Sequence, residues 1–341
     1  MYLYISQRKL LKVLYLKQNV KICQHSGYAA FTQLNEQGKE CIKFFIIGGL
    51  DTSSNLIKNN CLEGILDENG NVENKFISPM ISARVNFGCT LCDDLDKFIY
   101  CVAGSNPGDI ALCEIYDIAK KAWSPLPALS KSCSWPTLFI FNNKYLYCSG
   151  GLRNNKVIPF LETERLNVQK RDKWERIVVE QLNSCGWVNK VQYCGLQILS
   201  NEILICGGFI NNIMKKECYR LEIDENANKH NMKKSDPLLL GEAFASAEYP
   251  IMDGDFALFW SNAFNFHFYS ISNARWSCVG IDVWKDKLFE SPTLELKLSE
   301  LSKEEFDLNA MGNVLEYQEK PKKSQVLDDS EKQRMNDENK P

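Results

Sequence analysis

The chain has 341 residues, 45% of them hydrophobic, with 40 basic and 43 acidic side chains and a net charge of -3. That length allows a large core or a ring of small sheets, and the near balance of charge supplies no basic excess for nucleic acid or an anionic membrane surface. The longest apolar stretches, such as 138–141, are strand-sized and too short to span a bilayer, and residues 1–16 carry Arg8, Lys9 and Lys12 where a signal peptide needs an unbroken apolar core.

Along the chain, residues 2–13 come first: Tyr4-Ile5-Ser6, the polar Gln7-Arg8-Lys9, then Leu11, two short arms of a hairpin. From there an apolar run ends repeatedly in a glycine doublet followed by a polar loop. Residues 44–47 lead into Gly48 and Gly49, residues 145–149 into Gly150 and Gly151, and residues 203–206 into Gly207 and Gly208. A weaker copy at 98–102 leads into Ala103 and Gly104. The marks recur roughly every 50 residues, the period of a propeller blade. Ahead of each mark stand two strand-like runs joined by a tight polar turn, as in 84–92 with 98–102, 137–141 with 145–149 and 191–199 with 203–206. The Asn, Asp and Gly residues of such turns tolerate the positive φ of a short hairpin. A fifth unit, 248–252 with 255–260, keeps the hairpin and has Trp260-Ser261 in place of the doublet.

Behind each mark a third and a fourth strand carry their own signature: Tyr116 then Trp123, Leu166 then Trp174, Tyr269 then Trp276. An aromatic or apolar residue on each arm supports a hairpin by a few tenths to about 1 kcal/mol. The unit beginning at Gly27 has no clear Tyr/Trp pair, and the unit after Gly208 lacks the tryptophan.

Together these marks resemble the kelch repeat family, whose units have four antiparallel strands, a glycine doublet ending the second, a tyrosine on the third and a tryptophan on the fourth. The resemblance covers about residues 27–280 and implies an all-β, kelch-type β-propeller. The expected organisation is a propeller over 1–298 with five clear four-stranded blades at roughly 27–80, 81–127, 128–180, 183–237 and 243–281. Residues 1–14 are expected to supply outer closing strands to a partial sixth blade, with 292–298 as a weak complement. Residues 299–341 read as a charged tail with room for one short helix near 301–317. Its end, 318–341, has too little apolar surface to offset ordering entropy and is expected to be disordered.

Chemistry is sparse. The three histidines are His25, His230 in the charged stretch 226–234, read as a loop, and His267 on a strand between Phe266 and Phe268; structural roles are expected for them. No G-x-S-x-G elbow, P-loop or GxGxxG pattern occurs, nor an Asp-box turn of sialidase-like propellers. Oxidase-type kelch proteins use tyrosines, histidines and a cysteine on copper, for which three scattered histidines are poor material. Of the 14 cysteines, Cys101, Cys148 and Cys206 each sit just before a glycine mark, as small buried hydrophobes do. Reduced thiols and no signal peptide point to a cytoplasmic location, with a nuclear one compatible. Only Cys89 and Cys92 have metal-like spacing, and no second pair completes a zinc set. No cofactor or metal is expected.

The expectation is therefore a non-catalytic protein-interaction module whose partner is another protein, with no nucleic acid and no membrane. The alternative is a propeller enzyme or carbohydrate-binding lectin acting at the central channel. Recognition is assigned to loops on a rigid scaffold: those after the glycine marks, at 51–55, 105–109, 153–156 and 211–212, and those between blades, at 82–84, 130–135 and 183–187. Arg84, Asn106, Trp135, Arg153, Asn154, Trp187 and Asn211 are the candidate contact residues, Arg and Trp because they dominate interface hot spots. Trp135 and Trp187 could instead pack between blades, and Arg84 could pair with a neighbouring blade. Kelch propellers are often joined to another module such as a BTB domain; because the repeats begin almost at once, no such module is expected in this sequence.

Overall fold

The computed structural model describes residues 23–239 apart from 68–70, 94–96, 181, 183, 212 and 226–228, together with 2–5, 10–13, 251–253, 255–260 and 265–280. Five antiparallel sheets follow one another as the blades of a β-propeller. Blade 1 comprises Gly27–Leu34, Glu40–Asp51, Leu56–Leu66 and Val72–Ile77. Blade 2 comprises Gly88–Asp93, Lys97–Val102, Cys113–Asp117 and Ala122–Leu126. Blade 3 is built from Thr137–Phe141, Tyr145–Ser149, Glu164–Asn167 and Trp174–Arg176, and blade 4 from Cys194–Leu199, Glu202–Cys206, Cys218–Asp224 and Lys229–Ser235. Blade 5 runs from Ile251–Asp253 through Phe256–Trp260 and Asn265–Ser270 to Arg275–Gly280. Residues Tyr2–Ile5 and Leu10–Val13 pair as the expected hairpin, Tyr4 opposite Leu11. The expected complement at 292–298 and the tail from 299 lie outside the described residues, as does the manner of ring closure. Among the described residues no helix is long and apolar enough to cross a membrane.

The core lies in the seams. Phe45, Ile47 and Cys61 of blade 1 meet Cys89, Ile99 and Tyr116 of blade 2. Tyr100, Val102 and Ile115 of blade 2 meet Leu146, Cys148 and Leu166 of blade 3. Phe139 and Tyr147 of blade 3 meet Ile203, Ile205 and Tyr219 of blade 4, and Leu204 and Cys206 meet Phe259 and Tyr269 of blade 5. The first strands of blades 1 to 4 lie beside one another in turn. They crowd at Gly88, where a Cβ would stand 2.5 Å from Leu138. Cys89 and Cys92 illustrate the strand period of two: three residues apart, they enter opposite seams and do not converge as metal ligands.

The glycine doublets have a conformational origin. Both residues of every doublet take positive φ, from Gly48 and Gly49 at 54° and 101° to Gly207 and Gly208 at 64° and 110°. In blade 2 Ala103 takes the first position at 58°, a left-handed conformation that costs an L-residue about 1 kcal/mol or more. At the second position the backbone of the same blade's lead-in segment is too close for a side chain: a Cβ on Gly151 would meet the Ser134 carbonyl at 2.5 Å.

The tryptophan of the fourth strand is a rivet. Trp123 lies opposite Tyr116, Trp174 opposite Leu166 and Trp276 opposite Tyr269. Each indole N–H donates to the carbonyl of the residue that follows the preceding blade's last strand: Trp123 to Ser78 at 2.9 Å, Trp174 to Pro127 at 2.9 Å, Trp276 to Asp236 at 3.0 Å. Blade 4 has Met232 at this place, opposite Leu221. There the chain leaving blade 3 adds a fifth strand, Val178–Glu180, parallel to the edge of blade 4. His230 lies in that edge strand rather than in a loop: the charged sequence conceals an alternation in which His230 and Met232 point inward.

Candidate functional site: the loop face

First strands run away from one face of the ring and second strands return to it, so the loops after the doublets and the loops between blades share this loop face, and the tight turns share the other. Its inner rim is built by a unit repeated four times. Gln24 exchanges two backbone hydrogen bonds with Leu50, Val85 with Ser105, Ser134 with Leu152, and Val191 with Phe209, at 2.7–3.1 Å. The residue after each bridge is left-handed: His25, Asn86, Trp135 and Gln192, with φ of 53–56°. These kinks shorten the first strands relative to expectation, from 84 to Gly88 in blade 2 and from 191 to Cys194 in blade 4. The amide of Trp135 donates to the Asn86 carbonyl at 2.7 Å, and the indole meets the His25 imidazole edge-on with centroids 5.0 Å apart. Trp135, half-buried, thus reaches past blade 2 to blade 1. Partial burial lowers the His25 pKa.

Arg84 is the main correction. It is 1% exposed, and its guanidinium pairs with the buried Glu114 carboxylate and donates to the carbonyls of Ala103 (3.0 Å) and Leu112 (2.8 Å). The same carboxylate accepts from the amides of Ile81 (2.7 Å) and Ser82 (3.3 Å). Arg84 clamps the loop between blades 1 and 2 and is not a contact residue; its partner lies 30 residues away in sequence, out of reach of local pattern. In blade 3 Glu164 repeats the clamp on the amide and hydroxyl of Ser130. In blade 4 the Tyr219 hydroxyl holds the Gly186 carbonyl at 3.1 Å.

The other expected residues sit on the face with different freedoms. Asn106 is exposed and anchors its loop through Nδ2 to the Ala83 carbonyl at 2.8 Å. Arg153 is half-buried, bonded to the Ser132 carbonyl (3.0 Å) and Glu162 (2.9 Å). Asn154 is exposed, its amide on Asp109 at 2.8 Å. Trp187 is half-buried among Phe160, Tyr193 and Tyr219, with centroids 4.8–5.6 Å apart, so its packing role dominates. Asn211 is exposed at a loop tip.

Two features escaped sequence reading. The loops expected at 153–156 and 211–212 fall at small projecting hairpins, Leu152–Arg153 with Lys156–Val157 and Phe209–Ile210 with Ile213–Met214, residue 212 itself lying outside the described residues, while the paired strands of blade 1 extend past their doublet to Asp51 and Leu56. Among the described residues Leu56, Ile81, Leu112, Leu161, Ile213 and Met214 are exposed on this face, against Leu34, Leu199 and Phe256 on the turn face. The signal was present in the sequence as Ile213-Met214, where the corresponding loop of blade 3 has Lys156-Val157. No protein-family model matches the chain, and no curated protein matches it as a relative.

Proposed function

We propose that this chain is a kelch-type propeller that works as a non-catalytic interaction module and docks a partner protein on its loop face. The kelch-type reading is supported by three glycine doublets with both residues left-handed and by three tryptophan rivets in matching register. The observation that carries the docking reading is that, among the described residues, more exposed large apolar side chains lie on the loop face than on the turn face, around a rim fixed by backbone bridges. Scattered exposed apolar residues are ordinary on any surface; their concentration on loops carried by a rigid scaffold marks a contact surface.

The test is affinity capture from the native source with the full chain in three forms: wild type, Leu112→Asp with Leu161→Asp on the loop face, and Leu34→Asp with Leu199→Asp on the turn face. The loop-face variant should lose the specific partner and the turn-face variant keep it. The reverse pattern would move the site to the turn face, and a partner retained by both would remove it from either.

A further inference from the structure

The hairpin that follows the doublet of blade 4 differs from its counterparts in chemistry. Phe209 pairs with Met214 and Ile210 with Ile213. Ile213 is 57% exposed and Met214 45%. A two-residue turn here needs positive φ, which Asn211 supplies at 48°; an apolar first pair is common to these hairpins, Leu50 with Ile57 in blade 1 and Leu152 with Val157 in blade 3, and what blade 4 adds is a second, fully apolar pair, Ile210 with Ile213. In blade 3 the same place carries Arg153 and Lys156, and Arg153 is engaged by Glu162.

Its surroundings are positive. Lys215 and the exposed Lys216 follow Met214 directly, and among the described residues neither forms an ion pair. Beneath the hairpin lies Lys190, 3% exposed; its stem passes 2.8 Å from where a Cβ on Gly208 would stand, at the hairpin's base. Its ammonium donates to the Glu217 carbonyl at 3.1 Å and faces the rings of Trp187 and Tyr219 at 5.0 and 5.2 Å, with no carboxylate partner among the described residues. Glu217, and Asp236 on the segment that bonds to Lys216, offset part of this charge, so the apolar knob stands beside two lysines, Lys215 and Lys216, that no ion pair holds among the described residues.

We infer that this hairpin is the anchor for an acidic segment of a partner protein that carries bulky apolar side chains: Ile213 and Met214 bury the apolar residues while Lys215 and Lys216 meet the carboxylates. The inference rests on the loop-face reading and narrows it to one blade and one class of partner. Apolar burial sets the affinity, and the lysines steer encounter and select the sign of the partner.

The experiment is selection of a random short-peptide library on the full chain, followed by fluorescence anisotropy on the best binder. The expected peptides combine Asp or Glu with Leu, Ile, Phe or Trp. Their affinity should fall about tenfold or more in Ile213→Ser with Met214→Ser, and similarly in Lys215→Glu with Lys216→Glu, and should weaken as salt rises. Basic or neutral winners, no enrichment, or acidic winners indifferent to both variants would overturn the inference. Winners indifferent to blade 4 but lost in the Leu112→Asp, Leu161→Asp variant would sink it while leaving the loop-face reading intact. Two other occupants have their own signatures, and either would overturn a partner in trans. A several-fold gain in peptide affinity on removing 299–341 would assign the tip to the chain's own Glu304-Glu305-Phe306-Asp307-Leu308. Self-association in sedimentation that Ile213→Ser abolishes would assign it to a second copy.

Discussion

The junction leading into blade 2 and the junction leading into blade 4 share one backbone plan, with a valine at the bridge in both, and differ in the side chains that fasten it. Arg84 precedes the bridge residue of blade 2 as Lys190 precedes that of blade 4, and both are buried. The carboxylate that holds the loop before blade 2 is Glu114; at the matching place blade 4 has Tyr219. The rivet of blade 2 is Trp123, whereas blade 4 has Met232 and an added parallel strand. One junction is fastened by an ion pair and the other by aromatic rings. The backbone bridges and left-handed kinks fix the geometry, so the side chains need only satisfy buried groups and fill space, and two unrelated solutions serve.

The sharpest way to break the comparison is to remove the two cations. Arg84→Met leaves the Glu114 carboxylate buried and unpaired and should cost about 3–5 kcal/mol. Lys190→Met removes a charge that burial already disfavours, which lowers its pKa, and should change stability by no more than about 1 kcal/mol. Urea denaturation measures both; equal losses would mean that the ion pair is not what fastens the first junction.

A smaller effect sharpens the comparison by pH. In the seam of blade 4, His230 Nε2 lies 3.0 Å from the Tyr147 hydroxyl, and burial, helped by the Arg165 charge, pushes its pKa down to about 4. Unfolded, it titrates near 6.5. Above that value neither state binds the proton. As pH falls from about 6.5 towards 4 the unfolded chain takes it up first, so as much as ~3 kcal/mol of stability is lost across that window. The loss should be visible as a difference between the wild type and His230→Phe in thermal melts at stepped pH. A parallel decline of the two would discard the buried neutral histidine.

The smallest test concerns the rivet. Trp123→Phe keeps the ring against Tyr116 and removes the bond to Ser78, for an expected cost of about 1 kcal/mol. A chevron or equilibrium urea series resolves it, and an unchanged midpoint would reduce the tryptophan to a packing residue.

Blade count, hairpin pairing and the Tyr/Trp registers were legible in the sequence because period-two alternation, turn residues and the doublets are local signals. The kinks at His25, Asn86, Trp135 and Gln192 were not, since four unlike side chains adopt one φ that tertiary bridges impose. Arg84 was misread for the same reason: an arginine beside a loop looks available until the fold brings Glu114 to it. Of the expected contact residues, Asn106, Asn154 and Asn211 stand exposed, Trp135 and Arg153 are partly held, and Trp187 is absorbed by packing. The apolar tip at Ile213 and Met214 was visible in the sequence but was eclipsed by its neighbouring asparagines.

The four left-handed positions around the inner rim have one more consequence. Each pose is dictated by the bonds on either side of it, so the side chain displayed there answers to no packing rule shared with the other three. An imidazole, an indole and two carboxamides occupy this collar, so one backbone pose displays several kinds of side chain, and only His25 and Trp135, which touch, would have to change together.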